Sequence, residues 1–185
     1  QGRRALPVDL GPARPVVTAT MFGVTTPCVD RARAALDAAG CEVLVFHATG
    51  VGGQAMEGLI RDGQVQGVLD LTTTELADEL VGGVLSAGPD RLEAAIAAGV
   101  PQVVSVGALD MVNFGPRHTV PEAFRNRLLH AHNPNVTLLR TTPEENTALG
   151  RRMVEVLRRA TAPARSRRHD GTSRGIARLG RTISG

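Results

Sequence analysis

Four apolar runs, residues 15–19, 42–46, 67–69 and 102–106, each pass into small, polar, glycine-rich stretches at 20–28, 47–53, 70–75 and 107–115. The approaches to these runs are plain by comparison: Ala39-Gly40, Asp62-Gly63 and Gly99-Val100-Pro101. Helix-like segments separate the runs. Alternation of this kind, with short connections, predicts a sheet wound by right-handed crossovers. The expected fold is α/β: a Rossmann-like three-layer domain with a mostly parallel sheet and helices on both faces. Open parallel sheets bind ligands in the crevice at the carboxyl ends of their strands. The four elaborated ends therefore point to a site before they point to a reaction.

Composition narrows the functions. With four Phe, no Trp and no Tyr, aromatic platforms for base stacking are absent, which argues against oligonucleotide binding of that kind. Every basic side chain is Arg, and the chain has no Lys. A Schiff-base lysine, a phosphate-loop lysine and a Ser–Lys dyad are excluded. Charge is uneven: residues 1–160 hold 15 Arg against 17 acids, a net of −2, and residues 161–185 hold six Arg and Asp170, a net of +5. The body is close to neutral, so a basic body built for nucleic acid is not present. Cys28 and Cys41 fit neither a zinc spacing nor a redox pair. Free thiols, no run of membrane-spanning length and no signal-peptide pattern lead to an expected cytoplasmic location.

Along the chain, residues 1–14 carry Pro7, Gly11 and Pro12 and read as a linker or truncated leader, so the chain reads as a piece of something longer. Residues 15–160 form the expected domain. Strands are expected at 15–20, 42–47, 65–71 and 103–106, with short strands at 128–131 and 136–139. Helices are expected from Thr26 as N-cap to residue 39, and near 54–61, 74–80, 89–98 and 122–127. The helix at 26–39 should bury Val29, Ala32, Ala35, Leu36 and Ala39. Thr142-Pro143-Glu144-Glu145 is a capping box that opens a last helix running to about residue 159. Residues 110–121 read as a long irregular stretch. Residues 161–185, rich in Arg, Ser and Gly without apolar periodicity, read as disordered.

The candidate chemistry sits in the loops. In His47-Ala48-Thr49-Gly50-Val51-Gly52-Gly53, glycines let backbone amides approach an anion at a helix N-terminus. An ordinary tight turn explains the same residues. Met21-Phe22-Gly23-Val24-Thr25-Thr26-Pro27-Cys28 offers amides and two hydroxyls at another helix start. Cys28 would need a base, and His47 is the near candidate. Asp70-Leu71-Thr72-Thr73-Thr74-Glu75 places two carboxylates and three hydroxyls together, suited to a ribose or to magnesium held through water, or simply to capping the next helix. Asp110 and Asn113 are ligand-contact candidates after the fourth run, unless they only close Asx turns.

Four stretches, residues 18–28, Val45-Phe46-His47-Ala48-Thr49-Gly50, 70–75 and 107–115, resemble one family. It is the ATP-binding domain family of the tomato mosaic virus resistance protein and its uncharacterised bacterial and fungal relatives, and the resemblance is to that domain's second half, over roughly residues 15–160. It implies a tandem pair of Rossmann-like halves, nucleotide bound by the domain and, in some members, a fused barrel domain. The first half is not in this chain.

The leading expectation is a nucleotide-binding domain. Gly23, Thr25, Thr26, His47, Thr49, Gly50, Gly52 and Gly53 lie nearest the phosphates of ATP. Asp70, Thr72, Glu75 and Asp110 are placed toward ribose or Mg2+, and Asn113 is a further ligand contact. An alternative is an enzyme on a small carboxylate or phosphorylated substrate, with His47 as acid/base and Asp70 or Glu75 assisting. A further alternative is a non-catalytic half that docks a missing partner domain through the loop at 82–88. Expected partners are a nucleotide or other small anionic ligand, the preceding homologous domain and further copies of the chain; nucleic acid and membrane are not expected.

Overall fold

Val16, Val17, Thr18 and Thr20 are β-branched, which suits a pleated and buried surface, and Val16–Met21 forms β1. The computed structural model describes residues 13–162 and 164–167. The chain continues through a 3-10 turn at Gly23–Thr25, α1 (Thr26–Ala38), β2 (Glu42–His47), α2 (Val51–Arg61), β3 (Gly67–Asp70), α3 (Thr74–Val81), α4 (Glu93–Ala97) and β4 (Gln102–Ser105). β5 (Met111–Phe114), β6 (Leu129–Asn133), β7 (Val136–Arg140), α5 (Pro143–Leu157) and β8 (Ala164–Arg167) follow.

The main sheet has the order β2-β1-β3-β4-β8. Every pair in it is parallel, with Val17 opposite both Val43 and Gly67 and Val68 opposite Gln102. The chain leaves β1 for β2 on one side, then crosses to β3 on the other. The order reverses between β1 and β3, which is where such sheets open a ligand crevice. Side chains alternate between faces. Ala19, Val43, Val45 and Leu69 meet Val29 and Leu36 of α1 on one face. Phe46 and Val68 meet Met56 and Ile60 of α2 and Ala94 and Ala95 of α4 on the other. The expected α/β fold, with helices on both faces, is the one observed.

A second sheet, β5-β7-β6, is antiparallel. Val112, Phe114 and Leu139 from it join Leu149, Met153, Val156 and Leu157 of α5, Leu76 of α3 and Val104 of β4 in the largest core cluster. α5 begins as its sequence requires: the Thr142 hydroxyl accepts from the Glu145 N–H at 3.1 Å, and Glu145 Oε2 accepts from the Thr142 N–H at 2.8 Å.

Several expectations are corrected. Thr26 is the first helical residue of α1, and Thr25 stands at the N-cap. Thr25 uses its hydroxyl elsewhere, so it does not close the helix. Of the expected buried face of α1, Val29 alone is fully buried, with Ala32 and Leu36 half-buried and Ala35 and Ala39 exposed. The helix covers the sheet's β1–β2 side and leaves its own outer half bare. The stretch at 110–121 contains β5, because Val112 and Phe114 alternate into the second core. The helix expected at 89–98 is shortened to Glu93–Ala97, and that at 122–127 is a 3-10 turn, Glu122–Phe124. Residues 164–167, expected to be disordered, add β8 to the edge of the main sheet beside β4. Backbone pairing to a waiting strand edge needs no apolar periodicity, so the composition did not show it. The rest of the Arg-rich tail, residues 168–185, and the leader before residue 13 lie outside the described residues.

Leu139 has no exposed surface and joins the second sheet to α5. Leu139→Ala should therefore destabilise the fold by about 2–5 kcal/mol. In urea unfolding the midpoint should fall with an unchanged denaturant slope.

Candidate functional site

Arg91 lies between the sheet and α2 with 2% of its surface exposed. A guanidinium so placed must be paired and fully hydrogen-bonded. Its Nε donates to Glu75 Oε2 at 2.8 Å, its Nη2 to Asp70 Oδ1 at 2.8 Å, and its Nη1 to Asp70 Oδ2 and to Glu57 Oε1 at 3.2 Å. One cation thus meets three carboxylates. Burial acts to lower the Arg91 pKa, and the charges and hydrogen bonds of Asp70 and Glu75 outweigh it, so the guanidinium stays charged. Burial also pushes the Glu75 carboxyl above its ordinary range, against the Arg91 charge and the Gly50 N–H.

The carboxylates then reach outward to helix ends. Glu75 Oε1 accepts from the N–H groups of Gly50 at 2.7 Å and Gly53 at 3.0 Å, at the start of α2. Glu57 accepts from Leu92 N–H at 2.7 Å and Ala94 N–H at 2.9 Å, at the start of α4. Leu92 takes a left-handed φ of 78° there, a strained conformation that its tightly bonded surroundings hold in place. Both carboxylates sit where a helix favours negative charge.

A chain of hydroxyls ties this cluster to the strand ends. Asp70 Oδ1 accepts from Thr20 Oγ1 at 2.8 Å, and Thr20 Oγ1 accepts from the Thr72 N–H at 2.9 Å. Thr72 Oγ1 donates to the Thr20 carbonyl and shares a 2.7 Å bond with Thr25 Oγ1. Thr25 Oγ1 also meets the Phe22 carbonyl and N–H. The loops after β1 and β3 are locked together across the point where the strand order reverses.

The structure separates the residues expected to bind phosphate. The amides of Gly50 and Gly53 are occupied by Glu75, an anion of the protein's own. A Cβ on Gly52 would overlap the His47 carbonyl oxygen, and one on Gly53 would overlap the Glu75 carboxylate. These two glycines serve close packing. Asp70, Thr72 and Glu75 are buried at 0–1% exposure, and the Arg91 guanidinium occupies the place a cation would take between the two carboxylates. The pair does not fit Mg2+. His47 is exposed and packs its ring on Phe22, with centroids 5.5 Å apart. It lies on the α1 side of the sheet, whereas Asp70 points to the α2 side, so the expected acid/base grouping is not assembled. Asn113 is buried with its amide donating to Thr74 Oγ1 at 3.1 Å and Asp78 Oδ2 at 2.8 Å. Gly23 is exposed, Thr26 and Thr49 half-exposed.

What opens at the strand ends is a crevice of about 700 Å³. Thr25 and Asp110, two of the expected residues, line it with Val24, Gly107, Asn146 and Gly150, and Val106, Ala108, Leu109 and Met111 complete the walls. Ala108 holds a left-handed φ of 56° in its wall. Sequence reasoning missed three features. Arg91 is a lone Arg in a Pro-Asp-Arg-Leu turn and shows no pattern; only the number of carboxylates near apolar strands hinted that a cation was needed. Asn146 and Gly150 lie four residues apart and so share one face of α5, a spacing the sequence did carry.

The family model for the C-terminal domain of an uncharacterised protein family, UPF0261, matches residues 14–167. The chain belongs to the UPF0261 family. A UPF0261 protein of Clostridium tetani is 61% identical over 152 residues, covering 82% of this chain and 38% of that protein. The ToMV resistance protein Tm-1(GCR237) of Solanum lycopersicum is 53% identical over 146 residues, covering 79% of this chain and 19% of that protein. A UPF0261 protein of Rhizobium meliloti is 52% identical over 159 residues, covering 86% and 40%. The resemblance read from the loop motifs is thereby confirmed, and the match extends through β8. The chain spans less than half the length of these curated relatives. Among the described residues, no helix of this UPF0261 domain is long and apolar enough to cross a membrane, and no group of three or more His, Cys, Asp or Glu is arranged to hold a metal ion.

Removing Arg91 leaves three carboxylates buried without a cation. Arg91→Ala should destabilise the UPF0261 domain by about 3–5 kcal/mol, read as a lowered midpoint in chemical unfolding.

Asp78 supplies a pH test. Burial pushes its carboxyl up to about 6, opposed by hydrogen bonds from Leu85 and Asn113. A raised folded pKa means that the folded state binds the extra proton between the unfolded value and about 6. Stability from this group is full below the unfolded value and is lost as pH rises through about 6. Unfolding free energies measured across that window should show this fall in the wild type and a smaller one in Asp78→Asn, where the raised carboxyl of Glu75 remains.

Proposed function

We propose that this domain binds a nucleotide, with ATP as the first ligand to test, in the crevice that the loops after β1 and β4 form with α5. The observation that carries the reading is the crevice itself. It lies where the strand order reverses, the position at which open α/β sheets take ligands, and its volume falls within the range of small-molecule sites. Thr25, which lines it, is locked through its hydroxyl to Thr72, which gives the crevice a rigid wall, as a preorganised site needs. ATP is favoured over other ligands by the family resemblance of the loop motifs. Magnesium, if it accompanies the nucleotide, would come with the phosphates and not on Asp70 or Glu75. The enzyme reading has less support, since His47 stands apart from both carboxylates.

A second reading has one specific observation behind it. Val51, Val84 and Leu80 are 76%, 63% and 48% exposed, and the loops that carry Val51 and Val84 abut at Gly50 and Ser86. Such a patch suits contact with the segment that precedes this domain in the longer relatives. Amide exchange at residues 80–85 should then slow in a longer family member relative to this chain; equal exchange would remove the reading.

Gly150 offers a direct test of the crevice. It lines the cavity, and a Cβ there has nothing within 4 Å. Gly150→Leu should fill the crevice while leaving the helix as stable or more so. In calorimetric titration with ATP and magnesium, the variant should bind at least about tenfold more weakly than the wild type. Equal binding would place the ligand elsewhere, and no binding by the folded wild-type chain would overturn the nucleotide reading.

A further inference from the structure

The side chains of the crevice offer acceptors, not donors. Asp110 is its one ionisable lining side chain, and Arg140 Nη1 holds Asp110 Oδ2 at 3.0 Å, which leaves Oδ1 to accept. Asn146 spends its amide N–H groups on Thr141 Oγ1 and the Thr142 carbonyl, both at 2.9 Å, which leaves its Oδ1 to accept. The one proton of the Thr25 hydroxyl is directed inward, to the Phe22 carbonyl at 2.9 Å or to Thr72 Oγ1 at 2.7 Å. No Arg lines the cavity, the chain has no Lys, and the amides of Gly50 and Gly53 already hold Glu75. The remaining walls, Val24, Val106, Leu109 and Met111, are apolar.

This chemistry suits one end of a nucleotide. A triphosphate brings only acceptors and negative charge, and among the lining side chains it would meet acceptors and a carboxylate. A nucleoside brings a flat apolar face, an amino group that donates, and vicinal ribose hydroxyls that donate. Carboxylates are well suited to accept from such diols, as acidic residues do from ribose in dinucleotide sites. We infer that the crevice recognises the nucleoside, with Asp110 accepting from the ribose diol and Asn146 from the base amino group, and that the phosphates lie outside the crevice's own contacts. The inference rests on the nucleotide reading above.

The test titrates the 185-residue chain with adenosine, with ATP and magnesium, and with inorganic tripolyphosphate. Adenosine should bind within about threefold of ATP, and added salt should leave the ATP affinity nearly unchanged, since no charge pair to phosphate is there to be screened. Tripolyphosphate should not displace ATP. Asp110→Ala should weaken adenosine about tenfold, the loss of a hydrogen bond to a charged group, and should leave 2′,3′-dideoxyadenosine binding as in the wild type. ATP binding more than about tenfold tighter than adenosine, or displacement by tripolyphosphate, would overturn the inference and leave the nucleotide reading standing. An equal loss of adenosine and dideoxyadenosine in Asp110→Ala would overturn the ribose role. Binding of neither adenosine nor ATP by the folded chain would overturn the nucleotide reading, and the inference with it.

Discussion

One guanidinium holds the carboxyl-end side of this domain's main sheet together. Arg91 bridges Glu57 of α2, Asp70 at the end of β3 and Glu75 of α3. Through those carboxylates it fixes the first turns of α2 and α4, and through Asp70 it reaches the Thr20–Thr72–Thr25 hydroxyl chain. In a low-dielectric interior each of these groups alone would be costly. Paired and bonded, they leave little freedom for the loops after β1, β2 and β3. The strained Leu92 and the close approach at Gly53 follow from the same demand, since Glu57 and Glu75 reach the backbone there.

This arrangement changes the meaning of the glycine loop at 47–53. A glycine-rich turn before a helix is the usual cradle for phosphate, and the helix end here does hold an anion. The anion is Glu75. The same physics that would attract a phosphate has been satisfied internally, and Gly53 is needed so that the Glu75 carboxylate can come close. The open space accordingly lies away from β2, on the far side of β1. There the loop after β4 and the first turns of α5 leave a crevice open.

The second sheet explains why the crevice exists at all. In a plain Rossmann half, β4 would lead straight to a helix. Here the chain first builds β5, β6 and β7, whose inner residues Val112, Phe114 and Leu139 pack against α5 and α3. That insertion carries Asp110 to the rim beside Arg140 and sets Asn146 and Gly150 of α5 opposite Val24 and Thr25. The walls come from segments far apart in the chain.

The sequence by itself determined the alternation of strands and helices, the side of the sheet on which the crevice opens, the capping box at Thr142 and the family. These follow from local rules: periodicity, turn chemistry, and motifs whose residues are neighbours in the chain. Thr25 and Asp110, which line the crevice, were legible as candidates for the same reason, since each follows a recognisable strand. Tertiary structure alone decided that Asp70, Thr72, Glu75 and Asn113 are internal partners, because a carboxylate's role depends on whether a cation reaches it, and Arg91 arrives from 16 residues beyond Glu75. It alone decided that residues 164–167 form a strand, because an edge strand is specified by the backbone groups of its neighbour and not by its own side chains.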